Sequence, residues 1–141
     1  MASLAYHYET MGRLLEHLVA GGLRRIDLET SDAMDIMTHR IGDEEEVLAT
    51  FNDVVVWMLD EGLIRASSIQ QTGELTTAFN GVQLASKGIS LIQQKPDDSE
   101  LGGSIEEKLT GGKKGELSTS VYVKIGSFVG GAVGGFTKAI S

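Results

Sequence analysis

The chain has no cysteine. Disulfide bridges and thiolate metal sites are therefore excluded, and a reducing compartment, the cytoplasm, is the expected location. Met1-Ala2-Ser3-Leu4 offers no basic segment followed by an apolar run, so no signal peptide is expected. Long hydrophobic runs are missing as well. The longest uncharged stretch of the tail, Ile125 to Thr137, has 13 residues between Lys124 and Lys138. A membrane-spanning helix needs about 20, and no transmembrane span is expected. Basic residues are scarce: 12 Lys and Arg stand against 20 Asp and Glu, a formal charge of −8. Such a chain is repelled by phosphate backbones and anionic lipid and attracted to basic proteins.

Catalytic patterns are missing too. The sequence holds no His-Glu-x-x-His, no calcium-binding loop and no nucleophile elbow. His7 and His17 lie ten residues apart, roughly 280° around a helix, so they do not share a face as metal ligands. Gly111-Gly112-Lys113-Lys114-Gly115 has no Ser or Thr after its lysine and reads as a basic, flexible turn rather than a phosphate loop. Neither enzyme activity nor a cofactor is expected.

What is present is a helical pattern that changes to a strand pattern. Leu4, Tyr8, Met11, Leu15 and Leu18 recur at spacings of 4, 3, 4 and 3, one helical stripe closed by Gly21-Gly22. Residues 28–38 suggest a second, shorter helix capped by Thr30 or Ser31. A third helix opens at Asp43, with Glu44, Glu45 and Glu46 on the positive end of its dipole. Its apolar stripe runs through Val47, Phe51, Val54, Val55, Met58 and Leu59 to Gly62. From Leu63 the period is 2, with a polar hairpin tip at Gln71-Thr72-Gly73-Glu74 and a returning strand at Gly81-Val82-Gln83-Leu84. A short helix, Ile89 to Gln94, ends before Pro96, and a further helix is suggested around Ser104 to Leu109.

The segments Trp57-Met58-Leu59-Asp60-Glu61-Gly62-Leu63-Ile64 and Val82-Gln83-Leu84-Ala85-Ser86-Lys87-Gly88-Ile89 resemble a winged helix-turn-helix domain. Members of that family end a helix in L-x-x-E/A-G-L-I and follow the wing with x-L-T-x-x-G. Ala85 stands where the family has Thr. The resemblance covers roughly residues 5–94. It implies an α+β fold, a mostly helical winged-helix domain with a small antiparallel wing. A polar linker over residues 96–120 and a glycine-rich apolar helical extension over residues 121–141 would complete the chain.

In DNA-binding members the third helix enters the major groove. From Ile41 to Ser86 this chain has eight acids and one base, Arg65. DNA reading through that helix, with Thr50, Asn52 and Asp53 on its outer face, is not expected. Glu44, Glu45, Asp53 and Glu74 are instead candidate contacts for a basic protein partner, making the chain an inhibitor, immunity or adaptor module. Dipole capping and solubility are the plainer reading of the glutamate run. The alternatives are a dimeric transcription regulator and a membrane-associated accessory protein. The regulator would use a patch formed from Arg13, Arg24, Arg25, Arg40 and Lys87.

The tail concentrates glycine. Gly126, Gly130 and Gly134 recur every four residues, and Gly131 with Gly135 repeats the spacing. Two registers of small residues permit close helix packing against the chain's own domain, against a second copy as a homodimer through residues 121–140, or at a membrane; because each glycine costs an isolated helix about 1 kcal/mol, a loosely ordered tail is the remaining reading.

Overall fold

The computed structural model describes the backbone of residues 3–140 and the side-chain surroundings of residues 3–133. The fold is α+β. Helix α1 (Leu4–Val19) leads to strand β1 (Ile26–Glu29), a single 3₁₀ turn (Thr30–Asp32), α2 (Ala33–Ile36) and α3 (Glu44–Asp60). Strands β2 (Ile64–Arg65), β3 (Ser68–Gln71) and β4 (Thr77–Leu84) follow, then helices α4 (Ser86–Ile92), α5 (Ile105–Thr110) and α6 (Thr119–Ile140).

Local chemistry sets the helix ends. Ser3 accepts the Tyr6 amide at the start of α1, and Asp43 accepts the Glu46 amide at 3.0 Å at the start of α3. Gly62 takes φ +75°, which lets the chain turn out of α3 into β2 without a Cβ penalty. Ser104 and Glu107 form a reciprocal capping box on α5.

Strand β1 corrects the expectation of a helix from residue 28. Ile26–Glu29 pairs antiparallel with β4, and the helical segment is reduced to one 3₁₀ turn and one turn of α2. Thr30 does not cap it. Its hydroxyl donates to the Thr77 carbonyl and accepts the Thr77 amide at 2.8 Å, which clamps the turn to the end of β4. The reciprocal cap comes from Glu29 and Asp32. Four residues carry too little period for a strand to be read before its partner is known.

Strand β4 is the axis of the sheet. On one edge it pairs with β1; β2 and β3 keep one register along it, Ile64 opposite Leu84 and Ser68 opposite Asn80. The register against β1 slips between Ile26 and Leu28, opposite Gly81, which adopts φ +63°. This bulge lets Phe79, Val82 and Leu84 all turn inward despite their uneven spacing. A Cβ on Gly81 would also stand 2.4 Å from the Ser67 hydroxyl.

One hydrophobic core joins these layers. Met11, Leu14, Leu15 and Leu18 of α1 meet Phe51, Val55 and Met58 of α3 and Phe79 and Val82 of β4. Leu101, Ile105 and Leu109, from the stretch expected as a polar linker, belong to the same core, as do Val121, Ile125, Val129 and Val133 of α6. Helix α6 lies against α1 so closely that a Cβ on Gly12 would sit 2.5 Å from the Tyr122 carbonyl oxygen. Among the described residues no helix is long and apolar enough to cross a membrane.

Candidate functional site

The exposed face of α3 carries the acids. Glu45, Asp53 and Asp60, with Ala49 and Val56 between them, are solvent-exposed and follow one line along the helix. Glu45 and Asp53 are two turns apart, about 12 Å along the axis. Glu44 is exposed in the first turn and Glu74 at the β3–β4 tip. No side-chain hydrogen bond or ion pair among the described residues joins Glu44, Glu45, Asp53 and Glu74; the first three are open to solvent on α3, and Glu74 is open to solvent on the separate hairpin tip. Thr50 departs from expectation: it is 3% exposed and faces the core, not the outer face.

Beside this face runs a groove of about 320 Å³ between α1, α3 and α6. Leu4, Tyr8, Met11, Val54 and Trp57 give it apolar walls, and Asp53 stands at its edge. Trp57 is half-buried there, and Leu4, expected at the head of the apolar stripe, is 65% exposed.

Of the bases expected as a patch, Arg24 is exposed, and the other four make contacts within the chain. Arg25 donates to Ser67 and the Gly81 carbonyl, Arg40 to the carbonyls of Met34 and Met37, and Lys87 to the Glu61 carbonyl beyond the end of α3. Arg13 is 4% exposed.

The glycine stripe splits by face. Gly126 meets the backbone of Tyr8 and Gly130 meets its ring, whereas nothing lies within 4 Å of a Cβ placed on Gly131. One register is spent on packing inside the chain. The side-chain surroundings of Gly134 and Gly135 lie outside the described residues.

A buried polar network on α1 had not been foreseen from the sequence. Glu9, Arg13 and Glu16 are between 1% and 4% exposed. Arg13 Nε donates to Glu9 at 2.9 Å, and the Arg13 guanidinium carbon lies 4.2 Å from the centre of the Tyr122 ring, a cation–π contact. The Tyr122 hydroxyl donates to the Glu16 carboxylate, 2.8 and 2.9 Å from its two oxygens, and the Gly115 amide donates to the same group at 2.9 Å. His39 Nδ1 lies 2.8 Å from the other oxygen of Glu9. Burial, followed by the Glu16 hydrogen bond, pushes the Tyr122 phenol up to about 12.

The network borders a cavity of about 270 Å³ that also receives His17, Asp35, Thr38 and Lys114. Burial and the neighbouring Lys114 ammonium hold His17 below the usual imidazole range. The Lys114-Gly115 turn is thus tied down by the contact between Lys114 and His17 and by the Gly115 amide bond to Glu16. The available signal was the spacing of Glu9, Arg13 and Glu16 at i, i+4 and i+7. On a helix taken alone that pattern describes a solvated face.

Among the described residues no group of three or more His, Asp or Glu side chains is placed to hold a metal ion. The chain matches no known family model, and no curated protein and no solved structure shows significant similarity to it.

Proposed function

We propose that this chain is a non-enzymatic protein-binding module of winged-helix type whose acidic face docks a basic protein, as an inhibitor or adaptor does. The carrying observation is the line of Glu45, Asp53 and Asp60 along the exposed side of α3 with no base on that helix. In a winged helix this element reads the ligand. The order α1, β1, α2, α3 and then a wing folded around β4 supports the fold part of the reading. Opposed charge on a partner would raise the encounter rate and fix orientation. The regulator alternative has less behind it, because Arg13 is buried against Glu9 and Arg25, Arg40 and Lys87 donate to hydroxyl or carbonyl groups of the chain itself.

The test compares the wild-type chain with a variant carrying Glu44→Lys, Glu45→Lys, Asp53→Lys and Glu74→Lys as bait in a lysate. A basic protein retained by the wild type, released by salt and lost on the variant is the expected result. Equal retention by both baits, or retention of nucleic acid alone, would overturn the proposal.

A further inference from the structure

The groove between α1, α3 and α6 adjoins the acidic face, and the two surfaces select one kind of occupant. Its walls are apolar and concave, while its α3 edge carries Asp53, which bonds to no other side chain among the described residues, with Glu45 and Asp60 continuing the line on either side. His7, at the same groove, has its Nδ1 turned to the Ser3 carbonyl at 2.9 Å. We propose that this groove seats the apolar face of a positively charged amphipathic helix from a partner protein, with Lys or Arg of that helix meeting Asp53. The inference rests on the protein-binding reading above and names the part of the partner that binds.

Charge and shape decide against other occupants. A second copy would bring another chain of net charge −8, and like charges brought together oppose association. An anionic lipid surface meets the same repulsion. A small apolar ligand would fill the floor and leave the acidic line unused. An amphipathic helix uses both, placing apolar anchors at i, i+3 or i+4 and i+7 into the groove and its polar face toward the rim.

Trp57 is the chain's only tryptophan, so its emission reports on this groove alone. The probe is a short synthetic helix of leucine and lysine, with a leucine and glutamate counterpart as control, titrated into the full chain at low salt. The lysine peptide should shift Trp57 emission to the blue and saturate, and the glutamate peptide should do neither.

Leu4→Glu is the deciding variant. Leu4 is 65% exposed, so the fold tolerates the change, which an unaltered thermal midpoint verifies. The added negative charge would strengthen a purely electrostatic association, whereas removing an apolar wall weakens a seated helix about tenfold or more. Asp53→Lys should weaken binding several-fold at low salt and little at high salt.

If the lysine peptide binds with Trp57 emission unmoved, or binds Leu4→Glu as tightly as the wild type, the groove is not its seat. The broader acidic-face reading then survives. If the peptide does not bind at low salt, this inference falls, and the lysate comparison judges the acidic face separately. If the chain alone shows a concentration-dependent Trp57 shift together with a dimer mass, the occupant is a second copy and the proposal is overturned.

Discussion

Replacing Gly126 with alanine tests the packing of α6 on α1 directly. A Cβ at Gly126 would stand 2.0 Å from the Tyr8 carbonyl oxygen, where unstrained contacts begin near 3.4 Å. The obstacle is helix backbone, which no rotamer change relieves, so the two helices must part by more than an ångström. Parting them loosens Ile125 and Val129, both buried in the core, and strains the Tyr122 contacts one turn away. Overpacking of this kind costs typically 1–3 kcal/mol, and a backbone clash belongs near the top, at about 3 kcal/mol. Alanine returns about 1 kcal/mol of helix propensity over glycine. The net expectation is a loss of about 2 kcal/mol, a fall in Tm of roughly 6–10 °C for a chain of this size. The internal control is Gly131→Ala, which has the same propensity gain and nothing within 4 Å of its Cβ; it should raise stability by about 0.5–1 kcal/mol. Urea and thermal unfolding of the two variants therefore move in opposite directions. A Gly126→Ala protein as stable as the wild type would refute the close helix crossing.

Tyr122→Phe leaves the buried Glu16 carboxylate with the Gly115 amide but without the phenol, and should cost about 1–3 kcal/mol by urea unfolding at neutral pH. Because the folded-state pKa of Tyr122 is raised from 10.0 to about 12, the protonated phenol stabilises the fold below pH 10 and that contribution is lost as pH rises toward 12. Unfolding measured across this range should show a smaller alkaline loss in the phenylalanine variant. His17 is shifted down, so the unfolded chain binds its proton first. Stability should fall as pH drops below the ordinary imidazole value, and His17→Gln should flatten that slope. Thr30→Val removes both hydrogen bonds to Thr77 and should cost about 1–2 kcal/mol in the same assay, with the β1 amides losing hydrogen-exchange protection before those of α3.

Much of the fold was legible in short-range patterns. The Asp43 cap, the Gly62 exit from α3 and the hairpin tip between β3 and β4 each depend on residues within a few positions of one another. Their chemistry is complete in the local sequence. The exposure of Glu44, Glu45 and Asp53 followed from the helical period of α3 and that of Glu74 from the polar hairpin tip, while the burial of Thr50 did not follow, because it lies at the edge of the apolar stripe. There, packing decides which side a residue takes.

Other features were settled only when distant segments met. Strand β1 exists because β4 pairs with it across about fifty residues of chain. Leu4, periodic with the core residues of α1, stays exposed at the mouth of the groove. Glu9, Arg13 and Glu16 have the spacing of a solvated helix face, yet all three are buried: Tyr122 and Gly115, about a hundred positions further on, bond to Glu16, Tyr122 stacks on Arg13, and His39 meets Glu9. Local sequence determines where a helix starts, where it stops and which of its sides is apolar. It does not determine what arrives to cover a polar side, because that depends on a partner surface the helix itself does not encode.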